Sequence, residues 1–408
     1  PLPVHHLMMR PAVTKNADVK SLELSWQPTT DTLEATAEPD KYIVYTRIGN
    51  GDWDNGQVVK KTSFVVTPTV GKICSYKVVA LNDGGCSFPS EILSAGIVAN
   101  SGNEKPVLVV NGFHRISAPA DFVAPAPADT ALAGFLDNVD HGVPYLKQIN
   151  YIGSMKEFRR RIPWMDDDAA GFGDSYGDHE TQVIAGNTFD YPSVHGLALM
   201  QVGRSFISCS DEAVEDSSIS LADYPMVDLI LGKECQTKMG RGGVKPLQFK
   251  AFPTSLQQRI TAYLHQGGNI FISGQFVGSD IWDSRVAPAR QEDKDFATNI
   301  LKYKWRVGQA ATGGGLKTAR SPLMDFRGHF DYYNELNSDC YVVESPDAIE
   351  PATKDVWTVM RYAQNNLSAA VAYKGSYRTF IMGVPFETLR TAGEREQLMK
   401  SIVDFLQK

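Results

Sequence analysis

The hydrophobic pattern of this chain changes once, near residue 104, and that change limits the folds open to it. Before that point apolar residues alternate with polar ones: Leu22, Leu24 and Trp26; Tyr42 and Val44; Phe64 and Val66; and the stretch from Ile73 to Ala80. A period of two places alternate side chains on opposite faces of a strand, so these segments read as half-buried strands. Turn-forming clusters separate them at Gly49–Asp52, Asp54–Gly56 and Asn82–Gly85. Short strands with frequent turns predict a β-sandwich over residues 1–103.

After a polar linker around Ser101–Lys105 the apolar runs become continuous. They are Val107–Val110 leading into Asn111-Gly112, then Phe206–Cys209, Met226–Gly232, Asn269–Ser273 and Thr379–Gly383. An unbroken apolar strand needs cover on both faces, the pattern of a parallel sheet clothed by helices. Helical segments are predicted over 193–202, 255–265 and 394–406. Leu256, Ile260, Tyr263 and Leu264 share a face in the second, and Leu398, Ile402 and Phe405 in the third. The expectation for residues 104–408 is therefore an α/β domain with a doubly wound, mostly parallel sheet in a three-layer α/β/α arrangement. Two insertions interrupt it, one ending near residue 190 and one over roughly 285–370 that is expected to add strands at Cys340–Val343 and Ala369–Tyr373.

Charge excludes one class of partner. A formal net charge of −7 leaves no broad basic stripe, so nucleic acid is not an expected ligand. No apolar stretch approaches the ~20 residues needed to span a bilayer. The chain starts at Pro1 without a leader-type segment, which suggests a processed product or a part of something longer, with further domains upstream. The five cysteines, Cys74, Cys86, Cys209, Cys235 and Cys340, show no metal-type spacing, although Cys74 and Cys86 could face each other across a hairpin. Gly313–Gly315 followed by Leu316-Lys317-Thr318 lacks the spacing of a phosphate loop, and no cofactor is expected.

In open α/β sheets a ligand crevice lies beyond the carboxyl ends of the strands. The residues there make a mixed polar and aromatic rim. Asn111, His114, Ser210, Lys233, Gln275 and Phe276 are candidate ligand-binding residues, and Asp211, Glu212, Glu234, Gln275 and Glu387 are candidates for acid–base work. A hydrolase triad could be drawn from Ser210 or Ser279 with His195 or His141, but no G-x-S-x-G corner supports it. Asp166, Asp168, Asp174 and Asp178 lie on a glycine-punctuated acidic loop that could hold a hard cation or pair with Arg159–Arg161. Trp164, Trp282, Trp305 and Trp357 could stack on sugar rings or fill cores.

Three resemblances extend this reading. Trp26, Tyr42-x-Val44, Tyr76–Asn82 and Gly85–Ser90 resemble a fibronectin type III domain over residues 15–98, which implies a spacer or docking module with a buried Trp26 and a tyrosine corner at Tyr76. The stretch Gly274-Gln275-Phe276-Val277-Gly278, with Pro385-Phe386-Glu387 after the last strand, resembles the class I glutamine amidotransferase-like fold. There Phe276 stands at the nucleophile position and Pro385 at that of the histidine, and only Glu387 matches, so the resemblance implies no glutaminase reaction. Finally, Pro106–Arg115, Ile162–Asp168 and Gly186–Pro192 resemble the carboxyl-terminal region of secreted bacterial proteins known as xanthan lyase-like or N-acetylmuramoyl-alanine amidase-like. That likeness implies a secreted, periplasmic or cell-surface setting, a glycan or peptidoglycan partner, and a non-catalytic accessory role. The alternative is a carbohydrate-active hydrolase or lyase working at the sheet edge.

Overall fold

A computed structural model of the chain describes residues 1–12, 21–30, 35–87, 89–99, 104–114, 190–239, 245–324, 326–335 and 340–407, with short strands inside the 115–189 region. The amino-terminal strands are β1 (His5–Pro11), β2 (Leu22–Gln27), β3 (Lys41–Ile48), β4 (Gln57–Val59), β5 (Ser63–Val66), β6 (Ile73–Asn82), β7 (Gly85–Cys86) and β8 (Leu93–Gly96). β1, β2 and β5 pair antiparallel, and β4, β3, β6 and β8 form a second antiparallel set. Alternation does the sorting: Leu22, Leu24 and Trp26 of β2 point inward with Tyr42 and Val44 of β3 and Tyr76, Val78 and Ala80 of β6. Trp26 meets Tyr42 edge-on at 5.3 Å between ring centres, one tie between the two sets. Cys74 and Cys86 are both free, because Cys86 lies opposite Leu81 on β6, far from Cys74.

β9 (Val107–Asn111) enters the second half of the fold. β10 (Phe122–Ala124), β11 (Leu132–Gly134) and β12 (Glu157–Phe158) make a separate small antiparallel sheet. Then come α1 (Tyr191–Gln201), β13 (Phe206–Ser210), α2 (Asp211–Glu215), β14 (Val227–Gly232), the pair β15 (Thr237–Met239) and β16 (Lys245–Gln248), α3 (Thr254–His265), β17 (Asn269–Gly274), α4 (Ser279–Trp282) and α5 (Gln291–Asp295). The remaining elements are β18 (Tyr303–Val307), β19 (Gly315–Thr318), β20 (His329–Asp331), β21 (Ala348–Pro351), β22 (Val356–Tyr362), β23 (Ser368–Lys374), β24 (Arg378–Met382) and α6 (Ala392–Gln407).

Five strands run parallel in the order β13, β9, β14, β17, β24, and β23, β22, β19 and β20 extend them antiparallel. The free edge of β13 is taken up by the sandwich: Phe206 lies opposite Gly96 of β8 and Met8 of β1 opposite Cys209. Side chains reinforce the seam. The Ser94 backbone N–H donates to Ser208 Oγ at 2.7 Å, and the Ser208 hydroxyl donates back to the Ser94 carbonyl at 2.7 Å. Gly96 cannot carry a side chain there, since a Cβ would lie 2.2 Å from Met200 Sδ and 2.7 Å from Phe206.

This joining overturns the expected doubly wound three-layer α/β/α sheet. Of the described residues 35% are in strands and 22% in helices, and 17 of the described strands belong to one large mixed sheet. An apolar run reports burial, not strand direction. β6 and β23 are almost wholly buried, yet both lie in antiparallel ladders. Cys340–Val343 forms no strand, whereas Ala369–Tyr373 lies in β23. α6 buries Leu398, Met399, Ile402, Val403, Phe405 and Leu406, each contributing roughly 1.5–3 kcal/mol of transfer free energy. No helix among the described residues is long and apolar enough to cross a membrane.

Candidate functional site

Two polar groups are built on the parallel strands, one of them at their carboxyl ends. The first gathers around His114, just past β9. Its ring Nε2 meets Asp211 Oδ1 at 2.5 Å, and its backbone N–H donates to Glu234 Oε2 at 3.0 Å. Asp211 opens α2 and Glu234 follows β14, so three neighbouring strands deliver one residue each. Asn111, the last residue of β9, donates from Nδ2 to Glu91 Oε2 at 2.6 Å. Burial opposes a charged His114, but the carboxylates of Asp211, Glu91 and Glu234 prevail and hold its pKa well above the ordinary value. Burial also pushes Glu91 up to about 7, against the pull of His114 and Asn111. Ser210 caps α2, its Oγ accepting from the Glu212 N–H at 3.3 Å, and the Glu212 carboxylate turns away from the crevice toward His6.

The second group is sealed. His195 of α1 has no exposed surface; its Nδ1 lies 2.8 Å from Asp228 Oδ2 and its Nε2 3.2 Å from Glu387 Oε2. The Tyr341 hydroxyl donates to Glu387 Oε1 at 2.7 Å. Burial disfavours the imidazolium, yet Asp228 and Glu387 raise His195 to about 9, so the ring is charged at neutral pH. A histidine locked between two carboxylates beneath Phe271 and Phe386 cannot reach a ligand; it pins α1 and the 386–388 turn to the sheet. Lys233, next to Glu234 in the chain, bonds Glu344 through Nζ at 2.8 Å and lies 5.9 Å from the Tyr341 ring centre.

The corner after β17 is closed by the chain itself. Asp347, completely buried, accepts from Gly278 N and Ser279 N at 2.7 Å each, from Ser279 Oγ at 3.0 Å and from Trp305 Nε1 at 2.9 Å. Two backbone N–H groups of the turn are thereby committed to an internal carboxylate. Burial pushes Asp347 up to about 7 even though all four bonds favour its charged form. Gln275 is fully buried, its backbone N–H bonded to Gly232 O at 2.7 Å, and both of its amide side-chain atoms lack a hydrogen-bonding partner. Phe276 is half-buried.

The expected rim residues therefore part company. Asp211 and Glu234 each meet His114, Asn111 is bonded to Glu91, Lys233 to Glu344, and Glu387 belongs to the His195 group. No serine triad forms with His195: Ser210 is a helix cap, Ser279 is bound to Asp347, and His195 is taken by Asp228 and Glu387. His141 and the acidic-loop residues Asp166, Asp168, Asp174 and Asp178 lie outside the described residues, as do Arg159–Arg161 and Trp164. Trp305 serves Asp347, Trp282 packs on Tyr303 at 5.9 Å between ring centres, and Trp357 is 40% exposed. Sequence reading missed Asp228, Asp347 and the pair His5-His6. Asp228 gave a signal, since a carboxylate inside an apolar run demands a partner.

No protein-family model matches the chain, and no curated protein matches it. Solved structures similar to it include the twitchin kinase region from C. elegans (19% identity, 26% of this chain, 18% of that one, TM-score 0.21). Others are the structure named FN3tt mut (14% identity, 24% of this chain, 96% of that one, TM-score 0.19) and the solution structure of a human fourth FNIII domain (21% identity, 26% of this chain, 85% of that one, TM-score 0.21). The likeness is to fibronectin type III domains, spans about a quarter of this chain and, at these TM-scores, carries no argument about the rest.

Proposed function

We propose that the chain is a non-catalytic accessory region, for binding or spacing, of a secreted or surface-located bacterial protein that processes polysaccharide or cell wall, of the xanthan lyase-like or amidase-like kind. The observation that carries this reading is Asp347. An internal carboxylate occupies the Gly278 and Ser279 N–H groups of the strand–turn–helix corner, so neither is open to an incoming anion. Phe276 and Gln275 at the same corner supply no nucleophile. A ligand would be a polar glycan fragment held beside the partly exposed His114, above the buried Glu234 and Lys233.

A second reading rests on two contacts, that of Asp211 with the His114 ring and that of Glu234 with the His114 backbone N–H. Asp211 and Glu234 both meet His114, and paired carboxylates beside a basic group are the raw material of glycoside hydrolysis. One experiment separates the two. Glycan and peptidoglycan fragments are screened for binding and, in parallel, for turnover. Saturable binding without turnover, weakened by Lys233→Ala, supports the accessory reading. Turnover that disappears in Glu234→Gln overturns it, and absence of any glycan binding removes the glycan partner.

A further inference from the structure

We infer that His5, His6 and Glu212 form a binding site for a divalent transition-metal ion, zinc or a close relative, at the seam between β1 and α2. The ring Nδ1 atoms of both histidines and a Glu212 carboxylate oxygen all lie within 4.8 Å of one another. Glu212 Oε2 is 3.2 Å from His6 Nδ1 and 4.0 Å from His5 Nδ1, and the two Nδ1 atoms face each other directly. With metal–ligand bonds near 2.0–2.2 Å, tetrahedral zinc holds its ligand atoms roughly 3.3 Å apart, so small side-chain adjustments suffice to close this set on one ion.

Three features set this cluster apart from an ordinary surface ion pair. Neighbouring residues of a regular strand point to opposite faces, so adjacent histidines should diverge. Here they converge: the β1–β2 register shifts between His5 and Met8, and His6 takes the left-handed φ of 53°. A β-bulge commonly re-aims a side chain in this way. Two neutral imidazole nitrogens that face each other repel through their lone pairs unless a proton or a metal ion lies between them, and a carboxylate beside both favours a cation there. His6 also has backing. Its Nε2 points at Asp216 Oδ2, 3.6 Å away, and Asp216 is itself held by Gln27 Nε2 at 3.2 Å and by the Ser218 N–H at 2.8 Å. Carboxylate–histidine–metal chains of this kind orient and strengthen the ligand ring.

The three side chains are 21–23% exposed, which leaves a coordination position facing solvent for water or a further ligand. Two imidazoles and one carboxylate suit zinc, cobalt, nickel or copper and not magnesium or calcium. Because β1 belongs to the sandwich and α2 follows β13, the ion would clip the two halves together. The inference does not depend on the proposed glycan role.

The test uses the full chain, stripped with EDTA and titrated with zinc and with cobalt. The expected result is one ion per chain, a visible cobalt spectrum of low coordination number, and no competition from excess magnesium. Binding should weaken at least tenfold in Glu212→Gln and at least a hundredfold in the double variant His5→Ala, His6→Ala, with far-UV circular dichroism checking the fold. X-ray absorption at the zinc edge in the unaltered protein decides the matter even if the variants unfold. Two imidazole nitrogens with a carboxylate oxygen support the site. Thiolate ligation, fewer than two imidazoles, unchanged affinity in a folded double variant, or no stoichiometric binding overturns it.

Discussion

Replacing Asp347 by alanine tests the corner on which the proposed function rests. The substitution removes a carboxylate that accepts four hydrogen bonds and leaves the N–H groups of Gly278, Ser279 and Trp305 facing an empty, buried space. Each unsatisfied buried donor costs about 1–3 kcal/mol, although the Ser279 hydroxyl can rotate away and water can enter part of the space. Asp347→Ala should therefore destabilise the protein by about 3–5 kcal/mol. Asp347→Asn keeps one carbonyl acceptor and should lose only about 1–2 kcal/mol. The assay is urea denaturation followed by tryptophan fluorescence, with hydrogen exchange at residues 276–283 as the local readout. Because the vacated space is shaped for a carboxylate, formate should restore part of the loss in Asp347→Ala and nothing in wild type. At formate a hundredfold above its dissociation constant the recovery would be about 2.7 kcal/mol. A loss under 1 kcal/mol with unchanged exchange would show that the donors need no internal anion, and the reasoning would fail.

Other perturbations have defined outcomes. His195 is raised to about 9 from an ordinary 6.5, so its contribution is complete below pH 6.5 and is lost as pH climbs through 9; melting temperature should fall over that window, and His195→Gln should flatten it. Asp228 is also raised by burial, so its effect runs in the same direction, with stability lost as pH rises above its unfolded value of 3.8. Gly232 has φ of +48° and a Cβ there would lie 2.3 Å from the Phe113 ring, so Gly232→Ala should cost about 2–4 kcal/mol by denaturant midpoint. Arg47 of β3 bonds Asp190 at the start of α1, so Arg47→Ala should cost about 2 kcal/mol, less than breaking a fully buried pair, and should speed limited proteolysis near residue 190.

Much of the fold was legible because burial writes itself into sequence as periodicity. β2, β3 and β6 were visible from alternating residues, and α3 and α6 from apolar residues on one helical face. Strand direction was not legible: the apolar run in β23 is paired antiparallel on both sides, while the equally apolar β9 and β13 pair in parallel. The site was legible only where contacts join strand ends that a parallel sheet sets side by side, as with His114, Asp211 and Glu234. Asp347 reaches its donors across 68 residues of chain, and no local pattern announces such a contact. His5 and His6 were missed because neighbours on a regular strand point to opposite faces, and only the register shift brings their rings together.

The position of β13 has a mechanical consequence. One edge is bonded to β9 along its whole length, while the other is gripped by Gly96 and Met8 from the sandwich. A pull or twist applied at the amino-terminal strands is therefore transmitted as shear into the parallel ladder, the way a splice carries load between two ropes. Anything held at the rim beyond β9 and β14 would keep a fixed heading relative to whatever anchors the first strand.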